Sequence, residues 1–210
     1  MDWFERLTGF IESDYATTRT RLEVVGTELR SKINGGAFGI GELELVALQT
    51  LRERATSRGG PVGRLIFRNI RGDARALHRS SEFSGAMFQV ASQFNLLEMV
   101  SPDVVPEKGV TRYQYDKTQG PACAIAAGAG TIFRNYFVPI DGEQGQTSQR
   151  QLDGLRDLGS ELAGALGRQL GSLWKMSNGY ALCTSDGLDA IAGYLRTASS
   201  EELDRLRGLL

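Results

Sequence analysis

The chain has a single histidine, His78, and two cysteines, Cys123 and Cys183. A structural zinc site of the usual kind needs four Cys or His ligands and is excluded, and a Ser/His/Asp triad could draw only on His78, whose neighbours offer nothing toward one. The cysteines stand in apolar contexts, in no CxxC and away from His78, and are read as buried free thiols. Long apolar runs are missing as well. No window approaches the ~18 unbroken apolar residues of a membrane span. Asp2 and Glu5 stand where a signal peptide would carry a basic start and an apolar core. The expectation is a cytoplasmic chain with no membrane partner, no metal and no cofactor. Neither sign of charge dominates: 24 Lys and Arg face 25 Asp and Glu, net −1. Nothing global draws the chain to nucleic acid or an anionic surface.

What is present is an ordinary globular composition, 41% apolar and 23% charged over 210 residues, enough to bury one core and carry an appendage. Trp3, Leu7 and Phe10 or Ile11 at helical spacing predict a short helix over residues 2–12. Alternation from Arg21 to Leu45 around Asn34-Gly35-Gly36 predicts a β-hairpin, and a leucine stripe predicts a helix over 44–55. Ser57-Arg58-Gly59-Gly60-Pro61 marks a boundary. Residues 1–60 are thus expected as an N-terminal helix, hairpin and helix appendage, and 61–210 as the main body. Between Arg52 and Arg79 eight arginines face two acids, Glu53 and Asp73. That run reads either as a solvated face or as a wall for an anionic partner, nucleic acid or protein.

In the body, alternation predicts strands at 63–70, 86–91 and 131–138. Arg71-Gly72-Asp73 breaks the first, and Ala74 to Ser81 forms a short helix or turn. The second strand runs into Ser92, Gln93 and Asn95, polar groups that cost free energy if buried without partners. Glu98 follows, a candidate general base that could position a water at an anomeric carbon. Tyr113 and Tyr115 suit either stacking or packing. Thr118-Gln119-Gly120-Pro121 leads into a run of small residues that lets backbone approach a ligand closely. Arg134 and Asn135 interrupt the apolar strand, Arg134 either pairing with Asp116 or meeting a phosphate. Asp141 to Gln146 reads as a solvated loop. A leucine ladder from Leu152 to Leu170 predicts one long helix over 151–173, followed by a strand at 180–183 and two terminal helices.

The order of these segments resembles the macro domain, the α/β/α module that binds ADP-ribose. Ile70-Arg71-Gly72-Asp73-Ala74 looks like that family's Gly-Asp-Ile-Thr, Phe88-Gln89-Val90-Ala91-Ser92-Gln93-Phe94-Asn95 is similar to its Val-Asn-Ala-Ala-Asn, and Thr118-Gln119-Gly120-Pro121-Ala122 is placed like its Pro-Thr-Gly-Glu-Ala. The resemblance covers roughly 63–194. It implies an α/β fold with a mixed sheet flanked by helices in three layers, Asp73 on the adenine amino group and Asn95 on the distal ribose. Binding of ADP-ribose or a related nucleotide is the implied function, with ADP-ribosyl hydrolysis as its chemistry. Ser92, Gln93, Thr118, Gln119, Gly120, Arg134 and Asn135 complete the candidate ligand-binding set. The chain departs from the pattern at Ala74, at the register of Asn95, and at Leu96-Leu97-Glu98-Met99, which stands where the family has glycines. The family's last strand and helix have no counterpart before Leu210, so either the resemblance is partial or the body is shortened at its C-terminus, with an inactive fragment of a longer protein as the alternative to a working domain.

Overall fold

The computed structural model describes residues 1–60, 63–87, 92–115 and 127–210. Two compact units divide the chain. The first comprises Met1–Leu43, Gly72–Leu152 and Ser177–Tyr180, and the second Glu44–Arg71, Asp153–Met176 and Ala181–Leu210.

The first unit opens with helices α1 (Trp3–Thr8) and α2 (Tyr15–Thr20), each started by an aspartate, Asp2 or Asp14, whose carboxylate accepts from the backbone N–H three residues on. Such caps satisfy donors that the first helical turn cannot pair internally. Strands β1 (Leu22–Val25), β2 (Glu28–Ser31) and β3 (Ala37–Gly39) follow as an antiparallel meander in which Leu29 faces Val24 on one side and Phe38 on the other. Helix α4 (Ala74–Arg79) belongs to this unit, as does α5 (Ala129–Tyr136). Strands β4 (Pro139–Ile140) and β5 (Glu143–Gln144) close a short hairpin. The core joins Trp3, Phe4, Phe10, Leu22 and Leu29 to Leu97, Met99, Val110, Tyr113, Ile132 and Tyr136. Each large apolar side chain buried there contributes roughly 1.5–3 kcal/mol.

The second unit is helical. It holds α3 (Leu48–Arg58), α6 (Arg156–Leu166), α7 (Leu170–Leu173), α8 (Ser185–Thr197) and α9 (Ser200–Gly208) around Leu162, Ala163, Leu173, Trp174 and Leu206. Helix α9 begins with a capping box in which Ser199 and Glu202 each bond the other's backbone N–H. Strands β6 (Trp174–Ser177) and β7 (Tyr180–Cys183) pair, and their turn, Asn178-Gly179, belongs to the first unit. Among the described residues no helix is long and apolar enough to cross a membrane.

The α/β character expected from the sequence is present at the level of helices with small sheets, and several finer expectations are corrected. The described strands pair into one three-stranded and two two-stranded sheets, not into one mixed sheet. Residues 131–138 form no strand: Ala129, Ile132 and Tyr136 recur at steps of three and four, and that helical period places them together in the core. Residues 63–70 are neither helix nor strand, and of the expected strand at 86–91 only 86–87 lie within the described residues, again without regular structure. The long helix over 151–173 is two helices, because Gly167 adopts a left-handed φ of 60° and ends the first. The loop at 141–146 is in part a hairpin turned by Asp141-Gly142. Residues 1–60 divide between the two units: Met1–Leu43 fall in the first, where their aromatic side chains share one core with residues 97–137, and residues 44–60 fall in the second. Cys183 is a free thiol but an exposed one, and Cys123 lies outside the described residues.

Glu12 fastens the N-terminal segment to this core. Its carboxylate accepts from the backbone N–H of Val110 at 2.8 Å and of Thr111 at 2.8 Å, and from the Tyr136 hydroxyl at 2.7 Å. Bonds to a charged acceptor are the stronger kind. Replacing Glu12 by Ala strands three donors, and urea unfolding of the variant is expected to show a loss of about 2–3 kcal/mol.

Candidate functional site

The first unit contains a chain of buried amides that folds residues 92–99 into a tight loop. Gln93 donates to the carbonyl of Met99 at 3.0 Å and accepts from its N–H at 2.9 Å, bridging the loop's two ends. The same amide donates to the Tyr180 hydroxyl, which in turn donates to the Met99 carbonyl. Asn95, fully buried, accepts from the N–H of Leu97 at 3.0 Å and donates to Gln151 at 2.9 Å. Gln151 donates onward to Asn178 at 2.8 Å. Gln146, also fully buried, donates to the carbonyls of Asn95 and Arg134 and accepts from the N–H of Leu152. Each of these polar groups would be costly to bury alone, and each is paired.

That loop presents Glu98, whose residue is 2% exposed. One carboxylate oxygen accepts from Arg134 at 3.3 Å. The other, Oε2, is buried and has no hydrogen-bond partner among the described residues. Arg134 projects from α5 and also donates through Nε to the carbonyl of Leu96 at 2.8 Å and through Nη2 to Thr131 at 3.2 Å. Leu96 sits at a φ of 62°, a conformation that costs a leucine free energy. Burial pushes the Glu98 carboxyl above its ordinary pKa, with the Arg134 guanidinium acting in the opposite direction.

The sequence-derived candidates therefore separate. Gln93, Asn95, Glu98, Arg134 and Asn135 fall in or beside this network. Asn135 is fully buried, donates to the carbonyl of Pro106 at 3.2 Å, and among the described residues has no partner for its side-chain oxygen. Asp73 is exposed and caps α4, accepting from the N–H of Ala76 at 2.9 Å. Ser92 is exposed. Thr118, Gln119, Gly120 and Asp116 lie outside the described residues, and among the described residues Arg134 forms its ion pair with Glu98. Tyr113 is buried in the core with its hydroxyl near the Met99 sulfur, whereas Tyr115 is exposed.

Four contributors were not singled out in the sequence: Gln146, Gln151, Asn178 and Tyr180. Their signal was available in Asp141-Gly142 and Asn178-Gly179, both hairpin dipeptides, with amides immediately downstream or within the turn. Among the described residues no three His, Cys, Asp or Glu side chains gather as a metal site requires.

Gly179 shows how closely the network is built. Its φ is 82°, and a Cβ there would run into the Asn95 amide and the Gln93 side chain. Gly179→Ala is expected to cost about 2–4 kcal/mol in urea unfolding, from left-handed strain and overpacking together. Glu98 sets a pH dependence. With its folded pKa raised above the unfolded value of 4.5, stability is fully present below the unfolded pKa and is lost as pH rises through the folded one. Glu98→Gln is expected to flatten that decline, so urea midpoints of variant and native chain should diverge in the variant's favour toward neutral pH. Compared with known proteins, the chain matches no family model, no curated protein and no solved structure.

Proposed function

We propose that the first unit binds a ribose-bearing nucleotide, ADP-ribose in the specific form of the reading, and hydrolyses an ADP-ribosyl bond. The observation that carries the proposal is Glu98: a buried carboxylate beside an arginine, one oxygen paired and the other unmet. An unmet buried acceptor costs about 1–3 kcal/mol, which a ligand hydroxyl or a held water would recover. The raised pKa brings the carboxyl nearer neutral pH, where a general base works best. In the step we propose, Glu98 takes a proton from water as the water oxygen bonds the anomeric carbon. The bond from that carbon to the departing oxygen breaks, and the proton passes to the leaving group. Arg134 supplies positive charge for the diphosphate.

Gln93 and Asn95 enter this reading as positioning residues, since their amides are taken up inside the protein and hold the loop that bears Glu98. Asn135, with a free side-chain oxygen, is the further polar group on the same helix as Arg134. The macro-type form of the proposal adds a three-layer body, a cytoplasmic setting, and ligand contacts from Asp73, Ser92, Thr118, Gln119 and Gly120. What supports it is the order along the chain of Gly72-Asp73, the Gln93–Asn95 turn and Gly120-Pro121. A second reading, a module for an anionic macromolecule, is supported by the exposure of Arg52, Arg54, Arg58, Arg64, Arg68 and Arg71. It requires affinity that falls steeply with salt.

Calorimetric titration of the full chain with ADP-ribose tests the first reading. Binding is expected, weakened about tenfold or more by Arg134→Ala. Glu98→Gln is expected to reduce turnover by about 10²–10⁴ while leaving binding within a few-fold. A folded sample that gives no heat at about 1 mM ligand overturns it.

A further inference from the structure

The stretch from Gly63 to Arg71 in the second unit, Gly-Arg-Leu-Ile-Phe-Arg-Asn-Ile-Arg, has the composition of a strand and none of the pairing. Leu65, Ile66 and Phe67 are 76%, 67% and 88% exposed. Among the described residues none of its N–H or C=O groups makes a backbone hydrogen bond. β-Branched and aromatic residues favour the extended state, and an uncovered extended segment is a template for another strand. We propose that this segment is a docking edge that accepts an acidic, extended segment of a partner protein by strand addition, a proposal that rests on the second reading above and goes beyond it.

Charge selects the occupant. Between Glu53 and Asp73 the only charged residues are Arg54, Arg58, Arg64, Arg68 and Arg71. Arg54 is already paired with Glu44, and the other four have no carboxylate in the same stretch to meet them. A second copy would bring arginines against arginines with no acid between them, and like charges opposed across strands are destabilising. In an extended segment side chains alternate, so Arg64, Ile66, Arg68 and Ile70 share one face. The complementary partner alternates acidic and β-branched residues, and its backbone supplies the hydrogen bonds that give strand addition its affinity. An anionic membrane or a single-stranded nucleic acid would meet the arginines but not the row of backbone donors and acceptors.

The test uses the full chain and a blocked heptapeptide alternating Glu and Val, with fluorescence anisotropy as the readout. Binding is expected, weakened about tenfold or more when alternate peptide nitrogens are methylated, because hydrogen bonding is lost at constant charge. The triple variant R64E/R68E/R71E, altered only at exposed positions, is expected to lose that peptide and to bind the Lys-Val counterpart. Absence of binding by the Glu-Val peptide overturns the proposal, as does equal binding of its methylated form. Tighter, salt-sensitive binding of oligothymidylate or phosphatidylserine vesicles also overturns it, while leaving the broader anionic-partner reading standing.

Discussion

The organising constraint of the first unit is the simultaneous pairing of the buried amides of Gln93, Asn95 and Gln146. Gln146 holds the carbonyls of Asn95 and Arg134 and the N–H of Leu152, so one carboxamide fixes three segments distant in sequence. Gln93 and Asn95 then set the loop internally, and Gln151 and Asn178 extend the chain of bonds to the Asn178-Gly179 turn. A half-satisfied network of this kind would be worse than an apolar core. The arrangement is therefore close to all or none.

Against that background Glu98 stands out by what it lacks. The amides of Gln93, Asn95 and Gln146 meet partners inside the protein and serve as scaffold, whereas Glu98 Oε2 meets none among the described residues, the feature on which the proposed chemistry rests. Arg134 belongs to both sets: its Nε holds the strained Leu96 carbonyl, and its Nη2 meets Glu98. Positioning and charge are thus supplied by one side chain, which ties the surroundings of Glu98 to the integrity of the loop.

How much of this was legible in the sequence depended on whether the signal was local. The hairpin around Asn34-Gly35-Gly36 follows from residues within a few positions of one another, and Gln93, Asn95, Glu98 and Arg134 were marked as polar breaks in apolar stretches. The strand expected at 131–138 failed because Thr131, Ile132, Phe133 and Phe137 have strand propensity, while burial of Ala129, Ile132 and Tyr136 enforces the helical period. Asp73 has a local role that the sequence reading did not state: it sits before a helix and caps it. Gln146 and Gln151 were invisible for a simpler reason. An amide's importance lies in what it reaches, and the carbonyls they hold are set by tertiary structure.

The interleaving of the first unit also bears on how the chain acquires its structure. Trp3, Phe4, Phe10, Leu22 and Leu29 are covered by side chains between Leu97 and Phe137. The intervening segment 44–71 contributes to a different unit. A protein emerging from the ribosome N-terminus first would hold those aromatic residues in solvent until well over half of it had been synthesised. Contacts of such wide sequence separation also close slowly. The nascent N-terminal third is thus the stage at which this protein most needs chaperone protection.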